Sequence, residues 1–304
     1  MNSWHVTENP YESLTVDLTV RCNMKCSFCY DADQTRPDID LAYFEEVCRQ
    51  LRIPLGKKML WKFVGGEPTL HPQFFELIEA AHKCGQRVFF SSNGLTIRPG
   101  SKFVERLTAL PYSVDCGVTL DGGIDHDDIY EALNGQRCAE KKMEGLHTLL
   151  TTKHPVYISA IIVRGLNECV IPELLQLAAE NRRIAYVHFR TTAKVGRFID
   201  VEPYTAADLA KMMEPHFTEE QRRPYSRFEI WCPASEPKCC IRFMPNPRLC
   251  VSLVEFMSPQ STLCPKRGRL VDNFMVEPCF ESLMSVSNNK PVRHELAFHG
   301  KVSQ

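Results

Sequence analysis

The chain has 304 residues, 36 of them basic and 37 acidic, for a formal net charge of −1, which excludes the broad positive surface that non-specific nucleic-acid binding needs. A hydrophobic content of 44% supplies a large core, yet no run of eighteen apolar residues occurs and Met1 to Pro10 is too polar for a signal peptide, so a cytoplasmic protein without membrane attachment is expected. Fourteen cysteines in a chain of this length fit reduced thiols and metal ligation better than a disulfide scaffold.

From Leu14 to Arg190 strand-like and helix-like runs alternate. Runs rich in Val, Ile, Phe and Tyr predict strands over 14–20, 57–64, 87–91, 113–120, 156–163 and 184–190. Helical patterns fall at about 40–52, 72–84, 99–109, 136–152 and 168–181, the last with Asn167 as its expected cap and Pro172 in its first turn. Such alternation argues for parallel β/α units with right-handed crossovers. Six strands make a partial barrel, so the fold class is α/β, a partial (β/α)6 TIM-like barrel over residues 1–219. A further helix is expected over 206–216.

After Glu219 the pattern changes. Prolines recur at 224, 233, 237, 245, 247, 259, 265 and 278, with strand-like pieces only at Arg227–Trp231 and Leu249–Phe256. A small, irregular, cysteine-rich extension is therefore expected over 220–285, followed by a polar, loosely ordered tail over 286–304. Arg267-Gly268-Arg269 reads as a turn supporting it.

Directly after the first strand stands Arg21-Cys-Asn-Met-Lys-Cys-Ser-Phe-Cys-Tyr30. Soft thiolates select zinc or iron–sulfur clusters, and a closed site takes four ligands. Cys22, Cys26 and Cys29 are three. On a four-iron cube they would leave one iron open to bind something that reacts; the alternatives are a zinc site or three core cysteines. Three more segments follow, each after a predicted strand: Gly65-Gly66-Glu67-Pro68, then Ser92-Asn93-Gly94, then Thr119-Leu120-Asp121-Gly122. An ammonium needs acceptors, and glycines let backbone approach a ligand closely. Each segment alone is an ordinary β-to-α turn, but four in this order make coincidence a poor account. All sit where β/α-barrel sites are built.

Together these segments resemble the radical S-adenosylmethionine (SAM) superfamily: the CxxxCxxC spacing with Phe28 before the last cysteine, the GGEP segment, the Ser-Asn-Gly segment, and a Ser-Leu-Asp-Gly stretch with Thr119 in the serine's place. The resemblance implies an open (β/α)6 barrel and a [4Fe-4S] cluster on Cys22, Cys26 and Cys29, whose open iron chelates SAM. It implies SAM contacts from Gly65, Gly66, Glu67, Pro68, Ser92, Asn93, Thr119, Asp121 and Arg190. It also implies a flavodoxin- or ferredoxin-type electron donor, and reductive cleavage of SAM to a 5′-deoxyadenosyl radical that takes a hydrogen atom from the substrate.

Six cysteines lie between Cys232 and Cys279, in a segment that needs a metal to organise it. Relatives carry auxiliary clusters in SPASM and twitch extensions. The close Cys-x-x-Cys pair of a full SPASM series is absent, so the shorter twitch-like arrangement is the better comparison. Cys250, Cys264 and Cys279 with one of Cys232, Cys239 or Cys240 are the expected ligands of a second cluster; Cys239 completes the preferred set. Packing cysteines, zinc, or a free thiol such as Cys250 donating hydrogen to a substrate radical are the alternatives. Cys48, Cys84, Cys116, Cys138 and Cys169 lack metal spacing and read as structural.

Arg190, ending the sixth strand before the Gly196-Arg197 loop, suits a carboxylate or hydroxyl-rich partner because its guanidinium offers a fixed fork of donors. Asp121 and Asp125 are candidates for holding substrate; His71, His126 and His188 are assigned no role. The favoured activity is epimerisation or oxidation of a small molecule, such as an aminoglycoside-like sugar or an amino acid. With the first strand beginning near Leu14, no leader-recognition domain is expected, which ranks modification of a ribosomal peptide second. A non-catalytic iron–sulfur or zinc module ranks third, since it has no need of an amino-acid-binding site.

Overall fold

The computed structural model describes residues 13–29, 31–32, 35–51, 59–192, 197, 199–204, 208, 211–212 and 215, the backbone alone at Tyr186 and Thr191, and the backbone of six strands between 222 and 295. The fold is α/β, with the six parallel strands of a partial TIM-like barrel, each linked to the next through helix. Two compact units share it, one of residues 1–21, 35–90 and 249–304, the other of residues 22–34 and 91–248.

In the first unit β1 (Ser13–Thr19), β2 (Leu60–Gly65) and the start of β3 (Arg87–Ser92) run parallel, with Ser13 opposite Leu60 and Leu60 opposite Arg87. Alternate residues of β1 and β2 enter the core: Leu14, Val16, Leu18, Trp61 and Phe63 are buried. Helices α1 (Leu41–Gln50) and α2 (Phe74–Lys83) cover them, and Phe44 packs edge-on against Trp61 at 4.9 Å. Asp40 starts α1 by accepting the Tyr43 N–H, a cap of about 1 kcal/mol. The indole N–H of Trp61 donates to Gln86, whose amide donates to the carbonyls of Cys48 and Leu51, so the polar atoms of these two side chains are paired.

In the second unit β4 (Asp115–Thr119), β5 (Val156–Ile162) and β6 (Ile184–Thr191) are parallel, with helices α3 (Lys102–Ala109), α4 (Asp127–Asn134), α5 (Ala139–Thr151) and α6 (Val170–Glu180) between them. Near-continuous apolar runs suit strands buried on both faces. The sequence pattern missed α4. It is eight residues long and contributes only Tyr130 and Leu133 to the apolar core, too few to register a helical period.

The strands beyond residue 219 are two to five residues long and extend both sheets. In the second unit β7 (Arg222–Tyr225), β8 (Phe228–Trp231) and β9 (Cys240–Met244) form an antiparallel set that adds to β6 through β9. In the first unit β10 (Arg267–Leu270) lies parallel to β1, followed by antiparallel β11 (Met275–Pro278) and β12 (His294–Glu295). Arg267-Gly268-Arg269 is thus strand and not turn: pairing with the buried β1 outweighs a sequence of two arginines and a glycine. Of the helix expected over 206–216 the described residues Asp208, Lys211 and Met212 are helical; the strand expected over 249–256 lies outside the described residues. No helix among the described residues is long and apolar enough to cross a membrane.

Candidate active site

The Gly65-Gly66-Glu67-Pro68 segment ends β2 in the first unit, and its glycines are required by the protein's own backbone. Gly65 has φ +124, and a Cβ there would stand 2.5 Å from the Thr19 carbonyl oxygen; one on Gly66 would stand 2.4 Å from that of Arg21 and 2.7 Å from that of Val20. Only glycine accepts both the conformation and the approach. The gain is two hydrogen bonds at 2.8 Å, Gly66 N–H to the Thr19 carbonyl and Glu67 N–H to the Arg21 carbonyl. They fasten the segment to the end of β1, from which the cysteine loop leaves. Glu67, 1% exposed, caps the 3-10 turn Pro68–Leu70, its carboxylate accepting from the Thr69 N–H and hydroxyl. Helix capping by Glu67 was not anticipated; Pro68 at the turn's first position was the available signal.

In the second unit the loop of Cys22, Cys26 and Cys29 rests on the C-terminus of α4. Lys25 N–H donates to the Asn134 carbonyl and Ser27 N–H to that of Leu133. Gly135, at φ +79, ends α4 and brings its backbone close to Lys25. From the opposite end of the unit Arg197 holds the loop twice, its N–H to the Cys29 carbonyl at 2.9 Å and its guanidinium to the Cys26 carbonyl at 3.2 Å. Arg197, singled out by sequence, therefore braces the loop, whereas Arg190 stands half-buried in β6.

The remaining segments converge on the same loop within this unit. Ser92 and Asn93 are buried and build the turn after β3, accepting from the N–H groups of Gly94 and Leu95, while the Asn93 amide donates to the Asn23 side chain at 2.6 Å. Asp121, 3% exposed, accepts from the Ile161 N–H at 2.9 Å and the Asn134 amide at 3.0 Å. Thr119 presents its carbonyl oxygen, at 2.8 Å, to the ammonium of Lys142, which also donates to the Asn93 carbonyl at 3.0 Å. Lys142 is fully buried on α5, 5.2 Å from the centre of the Tyr130 ring. Sequence reading passed over Lys142 and Asn134; a lysine at helical spacing among Ala139, Leu146 and Leu149 was the missed sign. Asn167 is not the cap of α6. It accepts from the Val163 N–H and donates to the carbonyls of Asp121 and Ile161, and Cys169 takes the cap position without a side-chain bond.

Cys26 is half-buried in the loop. Burial, and then the Asp121 carboxylate, push its thiol up to about 12, against the Asn134 amide at 3.3 Å from its sulfur and the positive charge of Lys142. A cation bound at the sulfur reverses that balance, because metal ligation deprotonates a thiol outright. Among the described residues the one set of three Cys, His, Asp or Glu ligand atoms lying within 4.8 Å of one another is Asp125, His126 and Glu173.

His126 and Glu173 form a separate clasp, a hydrogen-bonded ion pair that raises the imidazole above its ordinary value. Asp125 is exposed, and His71 is buried against the Ile39 carbonyl. Cys48, Cys116 and Cys138 are buried, with thiols pushed up by burial. Cys232, Cys239, Cys250, Cys264 and Cys279 lie outside the described residues; Cys240 opens β9.

Comparison with known proteins accords with this arrangement. The model of the Radical SAM superfamily matches residues 16–178. The mycofactocin maturase MftC of Mycobacterium tuberculosis is 31% identical over 171 residues, 55% of this chain and 41% of its own length. The GTP 3′,8-cyclase of Staphylococcus epidermidis is 23% identical over 222 residues, 68% of this chain and 63% of its own; the chain thus spans less than two thirds of these relatives. Among solved structures, Streptococcus suis SuiB bound to S-adenosylmethionine superposes with a TM-score of 0.67 at 16% identity, covering 94% of this chain and 63% of SuiB. With more than half its length matched, the chain belongs to the radical SAM superfamily, whose cofactors are a [4Fe-4S] cluster and S-adenosylmethionine.

Proposed function

We propose that Cys22, Cys26 and Cys29 hold the SAM-cleaving cluster and that the enzyme abstracts a hydrogen atom from a small organic substrate, ending in oxidation or epimerisation. The observation that carries this reading is the loop itself: three cysteines in CxxxCxxC spacing on a backbone braced by α4 and Arg197. When bound, the cluster and SAM supply a 5′-deoxyadenosyl radical. The chain's own residues do the rest. Gly65, Gly66, Glu67 and Pro68 offer carbonyls and a carboxylate to the SAM ammonium; Ser92, Asn93, Thr119 and Asp121 line the ribose side; Arg190 offers a fork of donors to a carboxylate.

A small substrate is in keeping with the similarity to a GTP 3′,8-cyclase over 68% of this chain. A peptide substrate is the second reading. It is favoured by the likeness in fold to SuiB bound to precursor peptide SuiA, with a TM-score of 0.64 over 92% of this chain. In the extension, Cys250, Cys264 and Cys279 with Cys239 are proposed to ligate a second cluster that accepts an electron from the substrate radical; a free Cys250 thiol donating hydrogen is the epimerase alternative.

The test is anaerobic reconstitution and reduction with SAM. The wild-type protein should form 5′-deoxyadenosine, and the Cys22→Ala/Cys26→Ala/Cys29→Ala variant should form none. Undiminished formation by that variant sinks the assignment. The variant's iron content reads the extension: about four irons retained marks a second cubane, none excludes it.

A further inference from the structure

Asn134 makes a hydrogen bond that the fold does not need for itself. Its side chain is 1% exposed at the end of α4, and its amide nitrogen donates to the Asp121 carboxylate at 3.0 Å and to the Cys26 sulfur at 3.3 Å. The side-chain carbonyl oxygen, buried with them, has no hydrogen-bond partner. A buried unpaired carbonyl costs about 1–3 kcal/mol, so the amide is held this way round against a standing penalty. The reason lies in Asp121. A carboxylate at that position accepts only, and it is fixed in turn by the Ile161 N–H; turning the amide over would set its oxygen against that carboxylate and against the sulfur. Asp121 therefore aims one N–H of Asn134 at Cys26.

We propose that Asn134 is a positioning residue whose N–H to the Cys26 sulfur makes the SAM cluster easier to reduce, with Asp121 orienting it. The proposal rests on the reading that Cys26 is a cluster ligand. Reduction adds negative charge that the thiolate sulfurs share, and a hydrogen bond to sulfur stabilises the reduced form more than the oxidised one; such bonds are among the determinants of iron–sulfur potentials. One-electron reduction of a low-potential cluster precedes SAM cleavage, so this N–H acts on the step that supplies the electron. Cys26, half-buried like Cys29, packs against the buried cluster of Met24, Leu95, Tyr130, Cys138 and Ala139, where a hydrogen bond is strengthened by the low local dielectric.

The experiment compares wild-type protein with Asn134→Leu, which keeps the shape, removes the N–H and also removes the unpartnered carbonyl. Wild-type protein should carry about four irons on the three-cysteine site; an iron-free wild-type protein would overturn the ligand reading and this inference with it. The variant should load the same iron and melt no lower, yet its reduction equilibrium, followed by electron paramagnetic resonance during a redox titration without SAM, should shift roughly tenfold towards the oxidised cluster, about 59 mV for one electron. Asn134→Ala should shift in the same direction. An unchanged potential in a fully loaded variant would overturn the proposal. So would loss of iron or of fold in both variants, which would make Asn134 a support of the loop alone.

Discussion

The backbone N–H of Glu67 donates to the carbonyl oxygen of Arg21 at 2.8 Å, and Arg21 immediately precedes Cys22. Within the first unit the double-glycine segment thus fastens the end of β1, up to the residue before the cysteine motif. Gly66→Ala should test that link. Its Cβ would meet two carbonyl oxygens that belong to backbone and cannot swing aside, so a loss of about 2–4 kcal/mol is expected. Thermal denaturation of the apo-protein should show a melting point lower by several degrees, and a shift under about 2 °C would contradict the packing argument.

Glu67→Ala should weaken SAM binding about tenfold while iron content stays near that of wild type, because a carboxylate facing an ammonium contributes about 1.5–3 kcal/mol. Glu67→Gln retains an acceptor for Thr69 and isolates the charge. Equilibrium binding of SAM to both variants decides the matter: iron collapse with unchanged affinity would confine Glu67 to capping the turn.

Lys142→Met should cost about 2–4 kcal/mol, as removing a buried charged donor leaves its acceptors unsatisfied. Here the Asn93 and Thr119 carbonyls would lose their shared donor. Urea denaturation measures it, and stability equal to wild type would mean that water replaces the ammonium without penalty.

The His126–Glu173 clasp predicts a pH dependence. Glu173 raises the imidazole above its ordinary value, chiefly by its hydrogen bond. A group with a folded value above its unfolded one contributes stability that is complete below the unfolded value and is lost as pH rises through the folded one. Wild type should therefore exceed Glu173→Gln in stability by more at about pH 5.5 than at about pH 9. The difference should stay under about 1 kcal/mol, since the pair is partly exposed. An equal gap at both values would show that the ion pair contributes nothing.

Strand and helix positions up to Arg190, α4 excepted, were legible because the parallel strands are short β-type segments rich in buried apolar residues and the longer helices carry a buried stripe. The segments of the site were legible because turns after strands need special residue types: Gly65 and Gly66 for close backbone approach, Ser92 and Asn93 for side-chain bonds to the next N–H groups. The scaffold under the site was not. Asn134, Lys142 and Asn167 are single polar residues on otherwise ordinary elements, and their value arises from what faces them across the fold: a sulfur, two strand-end carbonyls, a neighbouring turn. No local pattern encodes that. Of the edge strands β8 was anticipated within 227–231, while β10 escaped for a related reason. Arg267 to Leu270 is drawn into strand by β1, far away along the chain, and its own residues give little sign of it.

That partnership bears on how the molecule is made. Ser13 pairs with Arg267 and Val16 with Leu270, so on the side of β1 opposite β2 the backbone donors and acceptors find their partner only after residues 267–270 have been synthesised. Until then β1 is an open edge, the kind of surface that recruits foreign strands, and the cysteine loop hangs from its end. Contacts so distant in sequence form slowly. Closure of β10 on β1 is therefore a late step in building the first unit, whatever folds earlier around β2.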